Sequence, residues 1–291
     1  MKLVIGCGYF GLRVARRWRD AGERVATVTR SGERAAELAG EGFEPVIADV
    51  AHRATLGKLP AADAVLFAVG YDRASGLTHR QVYAGGLENV LTALAASPHA
   101  EQLRRFLYVS TTGVYAESAG DWIDEDAPCD PNTPGAHAHL EAEQVLAASR
   151  FADRAVVMRM AGLYGPQRVP RRDDLIAGRP IVAASEGFIN LIQIDDAADA
   201  VLAAEQRASP PVTLNVSDGH PVNRRTYLEA MARLIGAPSP RFVEMDASAA
   251  PVRGSASKRI GNRRLIESLG VSLRYPTYRE GLASALAEFP Q

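Results

Sequence analysis

Lys2-Leu3-Val4-Ile5-Gly6-Cys7-Gly8-Tyr9-Phe10-Gly11 opens the chain with an apolar run that leads straight into Gly-x-Gly-x-x-Gly. A strand, a glycine-rich turn and a helix in that order are what a backbone needs if a pyrophosphate is to lie against it. Gly6 permits the tight turn, Gly8 lets phosphates approach the backbone, and Gly11 lets the helix pack closely on the strand. Tyr9 and Phe10 stand at the mouth of that helix, whose first N–H groups and partial positive charge face the phosphates. Glycine also serves turns that bind nothing, but the flanking strand and helix point to a dinucleotide site.

Outward from this segment, short apolar runs alternate with amphipathic stretches, the pattern of a parallel sheet covered by helices on both faces. The reading places strands near 2–6, 25–29, 45–48, 64–69, 105–110, 154–159 and 212–215. Helices are expected near 9–22, 32–41, 78–97, 136–150 and 195–207. The fold class is therefore α/β, a Rossmann-type doubly wound parallel sheet. Past residue 160 the alternation loosens, and prolines at 166, 170, 180, 210, 211, 221, 238, 240 and 251 divide the chain into short pieces. Helical signals at 224–236, 262–268 and 277–288 suggest a smaller carboxy-terminal substrate lobe. The expected division is a dinucleotide-binding domain of 1–163 with 191–217, and a substrate-binding lobe of 164–190 with 218–291.

Composition narrows the function. Of the 33 basic residues in the 291-residue chain only Lys2, Lys58 and Lys258 are lysine, and 34 acidic residues bring the formal charge to −1. That balance excludes the basic footprint of a nucleic-acid binder. The apolar stretches at 63–69, 105–109 and 155–158 are far shorter than the roughly 20 residues of a membrane-spanning helix. With an apolar strand pattern beginning at Leu3, no signal peptide is expected, and Cys7 and Cys129 form neither a disulfide framework nor a metal-ligand spacing. A cytoplasmic location is expected. His137 and His139, two apart on a helix, point in different directions, so no metal site is expected.

The second strand ends Val25-Ala26-Thr27-Val28-Thr29-Arg30, where an acidic residue would bind the ribose hydroxyls of NAD. Arg30, with Ser31 and Arg34 nearby, instead suits the 2′-phosphate of NADP; the other reading is a solvated arginine in an arginine-rich chain. Asp49, after the third strand, is either at the adenine edge or a plain turn residue.

Several further segments occur in a recognisable order: Gly86-Leu87-Glu88-Asn89, Val109-Ser110-Thr111-Thr112-Gly113-Val114-Tyr115, Arg159-Met160-Ala161-Gly162-Leu163-Tyr164-Gly165-Pro166, Ile192-Gln193-Ile194-Asp195-Asp196-Ala197 and Leu214-Asn215-Val216-Ser217-Asp218. Together with the glycine turn, they resemble the extended short-chain dehydrogenase/reductases, the NAD(P)-dependent epimerase/dehydratase family. One departure is the spacing of Gly6, Gly8 and Gly11, since these relatives usually carry Gly-x-x-Gly-x-x-Gly. The resemblance implies a nicotinamide dinucleotide, NADP by the Arg30 reading with NAD as the other possibility, and the residues expected to hold it are Gly6, Gly8, Tyr9, Phe10, Gly11, Arg30, Ser31, Asp49, Ala68, Val69, Gly70, Ser110, His139, Gly162 and Leu163. It also implies a small-molecule substrate, and a homodimer through the helices near 78–97 and 136–150, where Leu87, Leu91 and Leu94 have apolar spacing.

In that family a Ser or Thr acts with Tyr-x-x-x-Lys, the tyrosine exchanging a proton with substrate while the lysine favours phenolate and holds the nicotinamide ribose. In the segment Pro134-Gly135-Ala136-His137-Ala138-His139-Leu140-Glu141-Ala142-Glu143, Gly135 stands where the tyrosine should be and His139 where the lysine should be. From Ile123 through Leu163 there is neither tyrosine nor lysine, so a shifted alignment would not restore the pair. Thr111 holds the Ser/Thr position and either hydrogen-bonds substrate or satisfies a strand end. His139 either replaces part of the dyad as acid/base or ribose ligand, or is a helix-surface histidine spaced four residues from Glu143.

Tyr115 and Tyr164 are further groups for the nicotinamide end, Asp195-Asp196 reads as a helix cap, and Arg159 as a strand-end anchor. Arg168, Arg171 and Arg172 either bind an anionic substrate or are exposed solubilising residues. Two functions follow. One is an NAD(P)-binding oxidoreductase or epimerase/dehydratase acting on a small carbonyl, hydroxyl or nucleotide-sugar compound with a non-standard acid/base site. The other is an inactive NADP-binding regulator.

Overall fold

The computed structural model describes residues 1–116, 118–243, 257–287 and 289. The chain break expected at Pro251 and the last residue of the helix expected over 277–288 lie outside the described residues. The chain divides into two compact units. The first comprises Met1–Val114, Pro134–Arg159 and Ala198–Leu214, and the second Tyr115–Thr133, Met160–Ala197 and Asn215–Gln291. Residues 115–133, 160–163, 191–197 and 215–217 thus group with the second unit, whereas the sequence reading set them in the nucleotide-binding part.

Seven strands make the main sheet: β1 (Lys2–Ile5), β2 (Val25–Thr29), β3 (Glu44–Ile47), β4 (Ala64–Phe67), β5 (Arg105–Thr111), β6 (Ala155–Met160) and β7 (Val212–Val216). Their order is β7-β6-β5-β4-β1-β2-β3. Strand β1 pairs in parallel with β2 and β4, β2 with β3, and β4 with β5. The order reverses beside β1, and it is outside the carboxyl ends of the strands at such a switch point that α/β sheets bind ligands. Every residue of β1 and β4 is buried, which explains their unbroken apolar runs. Pro45 sits in β3, an edge strand, where its missing N–H costs no central ladder bond.

Helices α1 (Gly11–Asp20), α2 (Gly32–Gly40), α3 (Gly86–Ala96), α4 (Pro134–Ala147) and α5 (Ile194–Arg207) follow the expected spacing. Helix α4 starts at Pro134, earlier than expected, because proline fits the first helical position, where its missing N–H is not needed. The helix expected over 78–97 is not uniform: Gln81–Gly85 forms a π-helical turn before α3. Leu87, Leu91 and Leu94, offered above as support for a dimer face, are buried against Leu3, Ile5, Phe67 and Phe106 in the core of the first unit. Their apolar spacing is accounted for within the chain. Among the described residues, no helix is long and apolar enough to cross a membrane.

The second unit is assembled from shorter pieces. Trp122–Ile123 pairs with Arg259–Ile260, Gly162–Tyr164 with Leu191–Gln193, Ile181–Val182 with Phe242–Val243, and Phe188–Ile189 with Val222–Asn223. Its longer helices are α6 (Arg224–Ile235), α7 (Arg263–Leu269) and α8 (Tyr278–Ala287). Asn223 accepts the N–H groups of Arg225 and Thr226 to start α6, and Gly236 ends it in the left-handed conformation that glycine adopts without strain. Tyr227, Leu228 and Met231 of α6 pack with Leu282 and Ala285 of α8 in a separate core.

The lysines divide by burial. Lys2 is buried with Glu205 at 3.0 Å and Asp63 at 3.4 Å, all within the first unit. In the second unit the buried Lys258 donates to the carbonyl oxygens of Tyr115 at 2.6 Å and Ala116 at 3.4 Å. Lys58 is exposed.

Candidate functional site

The glycine turn of the first unit has three differently constrained positions. Gly6 has φ +96°, and a Cβ there would lie 2.5 Å from the Ala68 carbonyl and 2.6 Å from Val69 N. A Cβ on Gly11 would overlap the Gly6 carbonyl oxygen. Nothing lies within 4 Å of a Cβ built on Gly8, which is exposed. Two glycines are therefore demanded by backbone packing, and the middle one borders open space. Helix α1 begins there with no side-chain cap and no acidic residue in its first turn. Open ground over Gly8, an uncapped helix mouth and open space over the exposed Gly70 beyond β4 fit a dinucleotide pyrophosphate. The Phe10 side chain is buried, which leaves only its backbone for the site. The Arg13 guanidinium lies over the Tyr9 ring and donates to the Tyr9 carbonyl at 2.9 Å.

At the end of β2, Arg30 pairs with Asp72 at 3.1 Å, both side chains being largely exposed. Ser31 caps α2, its hydroxyl accepting the Arg34 N–H at 3.2 Å. Asp49 is engaged in a turn: one oxygen accepts the Ala51 N–H at 2.9 Å and the other meets His52 Nδ1 at 3.1 Å. Ala68 and Val69, beyond β4, are half-buried against the glycine turn.

The carboxyl ends of β4 and β5 and the start of α4 carry a column of rings. His79 stacks on Tyr71 with centroids 3.8 Å apart, and His139 stacks on Tyr83 at 3.9 Å. His79 and Tyr83 lie 6.2 Å apart in a tilted arrangement. His139 Nδ1 is 2.8 Å from the Tyr108 hydroxyl. Burial, reinforced by Glu143 and Tyr83, pushes the Tyr108 phenol well above its ordinary range, so it is neutral. Either atom can supply the shared proton, since a neutral phenol both donates and accepts. The helix-surface reading of His139 is thus corrected: it is half-buried in this stack, and Glu143 is occupied elsewhere.

Glu143 is buried and accepts from Arg159 Nε at 3.1 Å, from Arg159 Nη2 at 2.7 Å and from the Ser110 hydroxyl at 2.5 Å. Arg159 does anchor its strand. Ser110, expected at the cofactor, turns its side chain into this buried network instead, because the paired carboxylate needs the extra donor. Thr111, half-buried at the last position of β5, accepts the Gly113 N–H at 3.1 Å and keeps its own hydroxyl proton to donate. Both readings of Thr111 are therefore compatible with its geometry.

In the second unit, Gly162 and Leu163 lie on the strand paired with Leu191–Gln193. Tyr115 and Tyr164, offered above for the nicotinamide end, are both fully buried in this unit. Tyr115 donates to Asn215 Oδ1 at 2.6 Å, so that hydroxyl is committed to structure. The cap expected from Asp195-Asp196 comes from Gln193, whose amide oxygen accepts the Asp195 N–H. Asp196 instead accepts the backbone N–H groups of Arg274 and Tyr275 at 2.9 and 2.8 Å. Arg171 and Arg172 pair with Asp174 and Asp173.

Asp218 is buried, and its Oδ2, like the Tyr164 hydroxyl, has no hydrogen-bond partner among the described residues. Burial pushes the Asp218 carboxyl up to about 7. This unit also has an open cavity of about 370 Å³ bordered by Trp122, His220, Asn223 and Arg279.

The ring column was not foreseen. Tyr71, His79, Tyr83 and Tyr108 come from a loop, a π-helical turn and a strand, and no local spacing in the sequence marks them as partners of His139.

Residues 3–217 match the NAD dependent epimerase/dehydratase family. A 3-diazoavenalumate denitrifying reductase from a Streptomyces species is 30% identical over 214 residues, 65% of this chain and 67% of that protein. A 4-hydroxy-2-methyl-3-oxo-4-farnesyl-3,4-dihydroquinoline-1-oxide ketoreductase from Stigmatella aurantiaca is 26% identical over 241 residues, 79% of this chain and 72% of that protein. The solved structure of a functionally unknown conserved protein from Silicibacter pomeroyi is similar with a TM-score of 0.78 and 28% identity, over 99% of this chain and 98% of that one.

Proposed function

The chain belongs to the NAD-dependent epimerase/dehydratase family, and on that premise we propose that it is a nicotinamide-dependent reductase of a small carbonyl compound, with NADP favoured over NAD. The observation that carries this reading is the glycine turn, where Gly6 and Gly11 are packed shut and Gly8 stands open at the uncapped mouth of α1. When bound, the dinucleotide supplies or removes hydride. The chain's own part is to hold its phosphates at the turn and to offer the Thr111 hydroxyl to a substrate oxygen. His139, held by Tyr108 at Nδ1 and stacked on Tyr83, can meet a ribose hydroxyl through Nε2, the positional duty that a lysine has in relatives.

Reduction is supported by the names of the two relatives, a reductase and a ketoreductase. A small substrate is likewise supported by those two names. NADP is favoured because no acid ends β2. The exposed Arg30–Asp72 pair can open to let the guanidinium meet a 2′-phosphate.

Equilibrium titration of NADPH and NADH, followed by incubation with a panel of aldehydes, ketones and sugar nucleotides, tests the reading. Tighter NADPH binding and carbonyl-dependent NADPH oxidation are expected. Tighter NADH binding would sink the NADP preference. Cofactor binding with no turnover across the panel would favour a regulator, a reading prompted by the absence of tyrosine and lysine from Ile123 through Leu163.

A further inference from the structure

We propose that His79 is the proton donor and acceptor of the first unit's site, serving the same substrate oxygen that Thr111 hydrogen-bonds. The inference rests on the reductase reading given above. His79 follows β4 by the loop that begins at Ala68, so it lies beyond the carboxyl end of a strand next to the switch point of the sheet. Its ring is held flat against Tyr71, whose hydroxyl is tied to the Leu77 carbonyl at 2.9 Å. A π-helical turn, Gln81–Gly85, follows at once, and such turns occur frequently at functional sites.

The imidazole faces glycine. A Cβ on Gly135 would lie 3.3 Å from His79 Cδ2 and 3.6 Å from Nε2, so a larger residue at 135 would press on the ring. One residue along, Ala136 Cβ is 3.5 Å from the place of a Cβ on Gly113, and Thr111 Oγ1 is 3.3 Å from that same place. The His79 ring thus borders α4 at Gly135, and the Thr111 hydroxyl borders the Gly113 position that the next residue of α4, Ala136, also meets. Both side chains are half-exposed. Neither ring nitrogen of His79 has a hydrogen-bond partner among the described residues, in contrast to His139, whose Nδ1 is engaged by Tyr108.

The proton balance is simple. The substrate carbonyl carbon accepts hydride from the reduced nicotinamide, and the carbon–oxygen π pair moves onto oxygen. That oxygen takes the proton of the His79 imidazolium, giving an alcohol and a neutral imidazole that solvent reprotonates. In the reverse direction neutral His79 accepts the hydroxyl proton. Thr111 donates to the oxygen throughout, and Tyr71 is a positioning residue that holds the ring plane.

The test uses full-length protein and His79→Phe, which keeps a ring on Tyr71 but carries no proton, with His79→Ala as a second variant. Histidine ring signals are followed by NMR as NADP+ is added. The signal missing from His79→Phe should move on saturation in the wild type, and an immobile signal would overturn the assignment. With a carbonyl from the panel that the wild type reduces, kcat of His79→Phe should fall by roughly 100-fold or more, the range for losing a general acid. The NADPH dissociation constant should stay within about twofold, because general acid–base catalysis acts on the transition state rather than on ground-state binding. Added imidazole should restore part of the His79→Ala rate. Unchanged kcat in both variants, with an active wild type, would overturn the role of His79 while leaving the reductase reading intact. A wild type inactive on the whole panel would instead overturn the reductase reading, and this proposal with it.

Discussion

In the first unit the buried carboxylate of Glu143 is met by three donors, one from Ser110 and two from Arg159, whereas in the second the equally buried Asp218 keeps one oxygen without a partner among the described residues. Tyr164, in the second unit as well, also has a buried hydroxyl with no partner there. Burial of a charge is tolerable only when opposite charge and hydrogen bonds replace water. The first unit meets that condition with the Arg159 guanidinium and the Ser110 hydroxyl. In the second, Asp218 Oδ1 accepts the His220 N–H at 2.9 Å, and burial pushes the carboxyl up to about 7, towards its neutral form. The first unit thus buries a carboxylate beside an arginine, and the second buries an acid with no cation in contact among the described hydrogen bonds.

Breaking the matched pair is the severest way to test this contrast. Arg159→Ala leaves the Glu143 carboxylate buried and uncompensated, and the expected loss is about 3–5 kcal/mol in urea unfolding. A loss below about 1 kcal/mol would mean that water already shares the site.

Backbone packing in the first unit gives the next largest effect. Gly6→Ala must place a Cβ against Ala68 at an unfavourable φ, and is expected to cost roughly 2–4 kcal/mol together with cofactor binding. Gly8→Ala meets nothing within 4 Å, so unfolding should stay within about 0.5 kcal/mol of wild type while NADPH affinity falls. Equal destabilisation by the two substitutions would remove the distinction between packed and open glycine.

The unpaired acid predicts an effect of opposite sign. The folded-state value for Asp218 is raised, so its contribution to stability is fully present below the ordinary carboxylate range and is lost as pH rises through about 7. Asp218→Asn stays neutral and should be relatively more stable at pH 8 than at pH 5, by about 2–3 kcal/mol against the wild-type profile. Parallel profiles for the two proteins would show that Asp218 is ionised in the folded state.

The same contrast explains what could be read in the sequence. Strands β1 to β7 were legible because each is a short apolar run whose neighbours are dictated by right-handed crossovers. Gly6 and Gly11 were legible because their demand is local. In the second unit the helices α6 to α8 were legible but the strands were not, since pairs such as Ile181–Val182 with Phe242–Val243 are two residues long and carry no period. Among candidate site residues, Thr111 and Gly8 stand where their motifs put them, but the commitment of Ser110 to Glu143 depends on a helix 33 residues away. His79 could not be singled out, because its meaning comes from contact with Tyr71 and with Gly135.

Burial of two of the three lysines has a practical consequence. A reagent selective for primary amines meets one freely accessible lysine ε-amine, that of Lys58, since Lys2 and Lys258 are enclosed. Mild acylation should therefore attach a fluorophore or a surface tether at a single internal position. Intact-mass and peptide mapping would reveal a second modified lysine only if one of the enclosed amines became accessible.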